Sequence, residues 1–183
     1  MTVKHSTAST FLFFPFPGDW RLGLIHHPRL GMLMLAGGHV EPDETAAEAA
    51  LREVEEETGL VARLLHAPAP PLPVGFPRLS VPLPWWIVEH QVPADRHEPQ
   101  PHVHVDHVYV AMADSDAPCR AATPAHAFGW YTAAEIAELD DVVEDTRLQA
   151  KELLACIEDL AAVASGGQSD DLASFWRQFK TQR

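Results

Sequence analysis

The sequence predicts an α/β fold, an α/β/α sandwich around a mixed β-sheet. Three observations predict it. Short apolar runs bounded by Gly and Pro read as strands in both halves of the chain. A helix at Thr45–Thr58 divides them, and a long amphipathic stretch, Glu144 to about Ala164, follows the last of them. Strands with helices set among and after them need a sheet covered on both faces. The first helix is expected on one face and the second on the other.

Each element follows in order. Thr7–Phe16 is rich in Thr and Phe and reads as the first strand. Pro17-Gly18-Asp19 is a turn, and Trp20–His26 is a second strand. Met32–Ala36 is a short apolar run that stops at Gly37-Gly38. Pro42 and Asp43 sit where the first helix begins, and Gly59 sits where it ends. Ala67–Pro84 holds seven prolines in eighteen residues, which excludes regular helix and central strand and leaves a long loop. Trp85–Val92 is a strand, ADRHEPQP a polar loop, and His102–Ala113 an alternating strand. Phe128–Tyr131 is a short strand, and Thr132 with Glu135 makes a capping box for a short helix. Gly166-Gly167 breaks the long helix. Ser169 to about Lys180 forms a last one, with Leu172, Phe175, Trp176 and Phe179 on one side, for packing or a dimer contact. There is no internal repeat. The chain reads as one domain over residues 1–183, with a core at about 7–164 and a helical extension at 165–183.

Composition narrows the function classes. The 183 residues carry 46% apolar and 21% charged side chains, as a globular chain does. A net charge of −13 provides no basic surface for displacing counterions from a nucleic acid. It leaves room for a small anionic substrate held through a metal. The FLFFPF run at Phe11–Phe16 is too short to span a membrane and is broken by proline. It does not end in a small-residue cleavage site and reads as a strand, so a cytoplasmic protein without membrane partners is expected. Cys119 and Cys156 lack metal-ligand spacing and read as free thiols.

The helix Thr45–Thr58 carries the chemistry. On a helical wheel Ala47, Ala50, Leu51 and Val54 form the core stripe. Arg52, Glu53, Glu56 and Glu57 fall on another arc, roughly 140° wide. Glu48 and Glu55 lie toward solvent. Acids are misplaced here, because a helix C-terminus carries partial negative charge and like charges three and four apart repel. Between Glu41 and Glu57 there are eight acids and one base, Arg52. A run of acids is ordinarily a solvated face. In this position a hard divalent cation explains it better, since it takes carboxylate oxygens and removes the repulsion.

The wider pattern is Gly38-x5-Glu44-x7-Arg-Glu-Val-x-Glu-Glu-x-Gly-Leu, ending at Leu60. It resembles the Nudix box with every defining position filled across 23 residues. The resemblance implies a Nudix-type α/β/α sandwich and a metal-dependent hydrolase that cleaves a diphosphate linkage in a nucleoside diphosphate derivative. A (d)NTP or oxidised nucleotide is favoured as substrate, with an ADP-ribose-type compound next. Pro77, downstream of the box, is a minor hint toward the second. It implies Mg²⁺, with Mn²⁺ as a substitute, held by Glu53, Glu56, Glu57 and the carbonyl of Gly37. Arg52 matches the residue that fixes a catalytic glutamate, and Glu44 one that organises the loop. Gly38 and Gly59 match turn positions. Gly37-Gly38 lets backbone approach the substrate, and Ala46 and Ala49 leave room near the carboxylates. For the general base Glu98, Glu89 and Asp106 are candidates besides Glu53, and Glu98 is favoured.

HEPQPHVHVDH is the second unusual stretch. His102, His104 and Asp106 share one face of a strand and His107 the other. The set reads either as a polar rim or as a site for a transition metal. The GGHVE and HVHVD segments are similar to those of a subset of bacterial Nudix proteins, which puts this strand beside the active site. Gly38, His39, Trp86 and His104 are therefore assigned to substrate binding. Of Trp85 and Trp86, one can stack on a base while the other joins the core. Two further classes compete. One is a non-catalytic nucleotide-ligand sensor on the same fold, which would be expected to lose box glutamates. The other is a diphosphate isomerase, which would need a cysteine near the metal. The expected oligomeric state is monomer or homodimer.

Overall fold

The computed structural model describes residues 2–67, 69, 72–95, 97–118 and 125–166. The expected last helix and Cys119 lie outside the described residues. The strands are β1 (Lys4–Phe16), β2 (Asp19–His27), β3 (Met32–Met34), β4 (Ala36–His39), β5 (Ala62–Leu64), β6 (Trp86–Val92), β7 (His102–Ala113) and β8 (Ala127–Tyr131). The helices are α1 (Ala46–Thr58), α2 (Ala133–Glu138), α3 (Glu144–Leu154) and α4 (Ile157–Gly166).

The strands make one mixed sheet in the order β3-β2-β1-β7-β5, with β4 also on β1, β6 on β7 and β8 on β2. β1 and β7 run parallel in a continuous register from Lys4↔Val103 to Phe13↔Met112, and the other pairs between strands are antiparallel. β1 is long enough to share its length. Its end at Leu12–Phe16 pairs with β2, and its middle at Thr7–Thr10 pairs with β4.

Alternation along β1 builds two cores. Phe11 and Phe13 point with Val108 and Val110 to Leu153, Ile157 and Leu160 of α3 and α4. Ala8 points with Tyr109 to Ala47, Ala49 and Ala50 of α1, and Leu12 packs with Val54. Each fully buried large apolar side chain is worth about 1.5–3 kcal/mol. The expected sandwich is thus present. Among the described residues no helix is long and apolar enough to cross a membrane.

Several elements differ from expectation. Met32–Ala36 is not one run, because the chain changes partner at Leu35, with β3 on β2 and β4 on β1. Gly37-Gly38 is therefore strand. Neither glycine has positive φ, whereas Gly59 does at +71° and caps α1 as expected. The expected long helix is two. Its charges show why: Lys151 lies in the last turn of α3, and Glu158 with Asp159 in the first turn of α4, each favourable at that end. α1 keeps the expected Thr45–Thr58 span, with Ala46 as its first helical residue. Thr45 is its N-cap, and Glu48 closes a capping box with it.

Candidate metal and catalytic site

β4 lies beside β1, and the face of β4 toward α1 carries Ala36 and Gly38. A Cβ on Gly38 would stand 2.3 Å from Oε1 of Glu53 and 2.6 Å from its Cδ. Gly38 is required for space, since its φ is ordinary. Gly37 is required by the sheet, since a Cβ there would stand 2.5 Å from the Ala8 carbonyl oxygen. Gly38→Ala is expected to lower kcat by about 10², because Glu53 must leave its position. Stability should change by less than about 1 kcal/mol, because a flexible side-chain end yields. Steady-state kinetics beside thermal melting checks both. An equal loss in stability would mean that β4 itself is disturbed.

Arg52 organises the acids. Its Nε and Nη2 donate to the two carboxylate oxygens of Glu44 at 3.0 and 2.7 Å, a forked pair. Nη1 donates to Glu53 Oε1 at 2.8 Å and to Glu56 Oε2 at 3.2 Å, and Nη2 also donates to the His39 carbonyl at 3.0 Å. The fork raises the Arg52 pKa further and holds Glu44 below the ordinary carboxylate range. Glu44 in turn accepts from the Glu41 amide at 2.9 Å, which ties the loop before α1 to the same guanidinium.

Glu57 is held differently. Its Oε2 accepts from the Gly37 amide at 2.9 Å, and its Oε1 lies 3.1 Å from His126 Nε2. Burial, and then the neighbouring Glu53 and Glu56, push its carboxyl up to about 7 against the Gly37 hydrogen bond. The chain before β8 also meets the open end of α1. The Ala125 amide donates to the Glu56 carbonyl at 3.0 Å and the His126 amide to that of Glu57 at 3.4 Å. These are carbonyls that a helix end leaves without partners. His126 is not legible from sequence, because nothing in its neighbourhood forms a motif. Its Nδ1 is buried and has no hydrogen-bond partner among the described residues.

Glu53, Glu56 and Glu57 therefore share one end of α1, with the Arg52 guanidinium joining Glu53 to Glu56 and the Glu57 carboxyl raised by burial and then by its like-charged neighbours. An all-oxygen donor set of this kind suits a hard divalent cation. Ala46 and Ala49 do not line this space as expected. Ala49 is fully buried against Ala8 and Tyr109, on the core side of α1.

The other predicted residues lie elsewhere. The Glu98 carboxylate accepts from the Gln100 amide at 3.2 Å, within the loop before β7. Glu89 pairs with Lys4, and Asp106 accepts from Thr7 Oγ1 at 2.9 Å in a buried contact. Trp86 packs edge-on against Phe11, and Trp85 Nε1 donates to the Leu65 carbonyl at 2.9 Å, so both join the core on the α3/α4 side. His39 pairs with Thr7, and Thr7 with Asp106. By alternation the side chains of His39 and His104 point to the sheet face opposite Gly38 and the α1 carboxylates. Among the described contacts His39 meets Arg52 and its glutamates only through its carbonyl. Burial, then His39, His90 and His102, hold His104 down to about 4.

A sheet that delivers a glycine-lined strand to the acidic end of a helix sets glutamates beside one arginine, a donor set of the kind a hard divalent cation takes. The family comparison gives the class. The model of the NUDIX domain matches residues 8–153, and the chain belongs to the Nudix hydrolase family. No curated protein sequence matches it. Among solved structures it is similar to a NUDIX family hydrolase from Clostridium perfringens, at TM-score 0.61 and 23% identity over 84% of this chain and 97% of that one. The C. elegans Ap4A hydrolase is similar at TM-score 0.55 and 13% identity, over 85% and 99%. The Nudix hydrolase RenU from M. smegmatis follows at 0.51 and 19%, over 84% and 88%. At these identities the likeness concerns the fold.

Proposed function

We propose that this protein is a metal-dependent pyrophosphohydrolase that cleaves a diphosphate linkage in a nucleoside diphosphate derivative. The observation that carries the reading is the glutamate set at the end of α1, in which Arg52 joins Glu56 to Glu53 beneath Gly38 and the Gly37 amide holds Glu57. The proposed cation is Mg²⁺, with Mn²⁺ as a substitute, on these three carboxylates and the Gly37 carbonyl. When bound it neutralises phosphate charge and orients a water. Arg52 holds Glu53 and Glu56 in place, and the Gly37 amide holds Glu57. Gly38 keeps β4 clear of Glu53, so that the carboxylate keeps its place beside Arg52. A (d)NTP or oxidised nucleotide is the favoured substrate, with an ADP-ribose-type compound next. The net charge of −13 supports a small-molecule substrate over nucleic acid. A cytoplasmic monomer or homodimer completes the reading.

Glu98 is the proposed general base from outside the box. Its carboxylate caps a loop whose His97 stacks near His39, so acting as base requires that loop to move. Glu98→Gln should lower kcat by about 10² and flatten the acid limb of the pH profile. Unchanged kcat and limb would reduce Glu98 to a loop cap and leave Glu53 as the base.

Cysteine chemistry at the cation has little support. The Cys156 thiol is buried in the α3/α4 core, and burial followed by Asp159 pushes its pKa up to about 11. The test of the whole reading is phosphate or pyrophosphate release with Mg²⁺ or Mn²⁺. It covers nucleoside triphosphates, oxidised nucleotides, ADP-ribose, dinucleoside polyphosphates, NADH and coenzyme A. Turnover with one class establishes the hydrolase and its substrate. Ligand binding without turnover anywhere in the panel would instead make the chain a nucleotide sensor.

A further inference from the structure

We propose that His5, His39, His102 and His104 form a second metal site, which takes a borderline transition-metal dication of the Zn²⁺ type. It lies on the sheet face opposite the box carboxylates and is independent of the hydrolase reading.

The geometry is that of a built site. One ring nitrogen from each of the four histidines lies within 4.8 Å of the others. His5 Nδ1 stands 3.2 Å from His39 Nε2, and His102 Nε2 stands 3.1 Å from His104 Nε2. Tetrahedral zinc with ordinary Zn–N bonds has nitrogen–nitrogen edges of about 3.3 Å. The four rings come from β1, β4 and β7, whose mutual pairing fixes their spacing: His5 is opposite His104, and Thr7 is opposite both His39 and Asp106. Donors placed by a sheet keep their geometry better than donors on loops.

A rim of hydrogen-bonded imidazoles is the ordinary alternative, and the setting of His102 is also that of a metal ligand. Its side chain is wholly buried, and its Nδ1 lies 3.1 Å from the Gln100 carbonyl, which can only accept. Nδ1 therefore donates to that carbonyl, which sets Nε2 facing the other three rings. Metal-bound histidines are oriented by this kind of contact. Asp95 adds a compensating charge. Its Oδ2 lies 3.8 Å from His102 Nε2, while its Oδ1 is fixed by the His97 and Glu98 amides at 2.8 and 3.0 Å. Four nitrogens without an oxygen ligand select zinc, nickel or copper over magnesium. Asp106, grouped with His102 and His104 by sequence, is instead bonded to Thr7.

The test uses the full chain stripped with a chelator and loaded with Co²⁺ or Zn²⁺ alone. Co²⁺ should give the intense visible absorption of a tetrahedral nitrogen site, and Zn²⁺ should displace it at one equivalent. His5→Gln, at the half-exposed end of the cluster, should weaken Zn²⁺ affinity by at least about 10². Glu56→Gln should leave the cobalt band in place. Because His102 variants risk misfolding, imidazole ¹⁵N spectra of the wild-type chain provide the second measurement, with Zn²⁺ expected to shift His102 Nε2 and not Nδ1. Weak octahedral absorption only, a band lost in Glu56→Gln but kept in His5→Gln, or unmoved imidazole signals would each overturn the site.

Discussion

Glu57→Gln should abolish turnover and, at the same time, stabilise the cation-free protein at pH 8. The kinetic loss is expected to be on the order of 10³, about 4 kcal/mol of transition-state stabilisation. Gln keeps the acceptor for the Gly37 amide but cannot supply a charged ligand. The stability gain follows from the raised carboxyl. Its folded pKa is about 7 against an ordinary 4.5, chiefly through burial. Between those values the folded chain holds a proton that the unfolded chain releases. Stability therefore falls as pH rises from 4.5 to 7, and the full cost, about 3 kcal/mol, applies above pH 7. Urea denaturation of both chains at pH 4.5 and pH 8 reads the effect directly. The variant should exceed wild type at pH 8 and match it at pH 4.5, and Mg²⁺ should close the gap by binding the wild type. A gap that is the same at both pH values would refute the burial account of Glu57.

Arg52→Ala should be costly in the opposite sense, losing stability together with activity. Glu44 and Glu53 are mostly buried at 13% and 14% side-chain exposure, and both lose their counter-charge. Removing one partner of such a cluster costs about 3 kcal/mol. kcat should fall by at least about 10², because the acids no longer converge. Arg52→Lys separates charge from shape. An ammonium cannot donate to both Glu44 oxygens while reaching Glu53, Glu56 and the His39 carbonyl. Much of the stability should return and little of the rate. Full recovery of rate by Lys would show that charge alone suffices.

The parts of this site that could be read from the sequence are those that lie together in it. The run from Gly38 to Leu60 holds the acids, their arginine and the helix that spaces them, so helical periodicity was enough to group them. The sandwich was legible for a similar reason, because β1 and β7 are long and their faces alternate. What was missed depends on pairing. Met32–Ala36 looked like one strand because hydropathy does not record that the chain changes neighbour at Leu35. The short β5 has too few residues for a period. His126 reaches Glu57 from a segment far along the chain, and only the docking of that segment on the end of α1 brings it there. The HVHVD pattern marks its own histidines, but their partners His5 and His39 come from strands whose register no local pattern sets.

The hydrogen bonds described between β4 and the acidic helix come from the main chain of β4: the Gly37 amide on Glu57 and the His39 carbonyl on Arg52. Side-chain replacement removes neither. An alanine scan would therefore score position 39 by its imidazole alone and report nothing about its hold on the guanidinium. Exchanging the amide after residue 39 for an ester would weaken that carbonyl as an acceptor and leave every side chain intact. The strand's share in ordering the acids would then be measurable apart from anything its imidazole does on the other face.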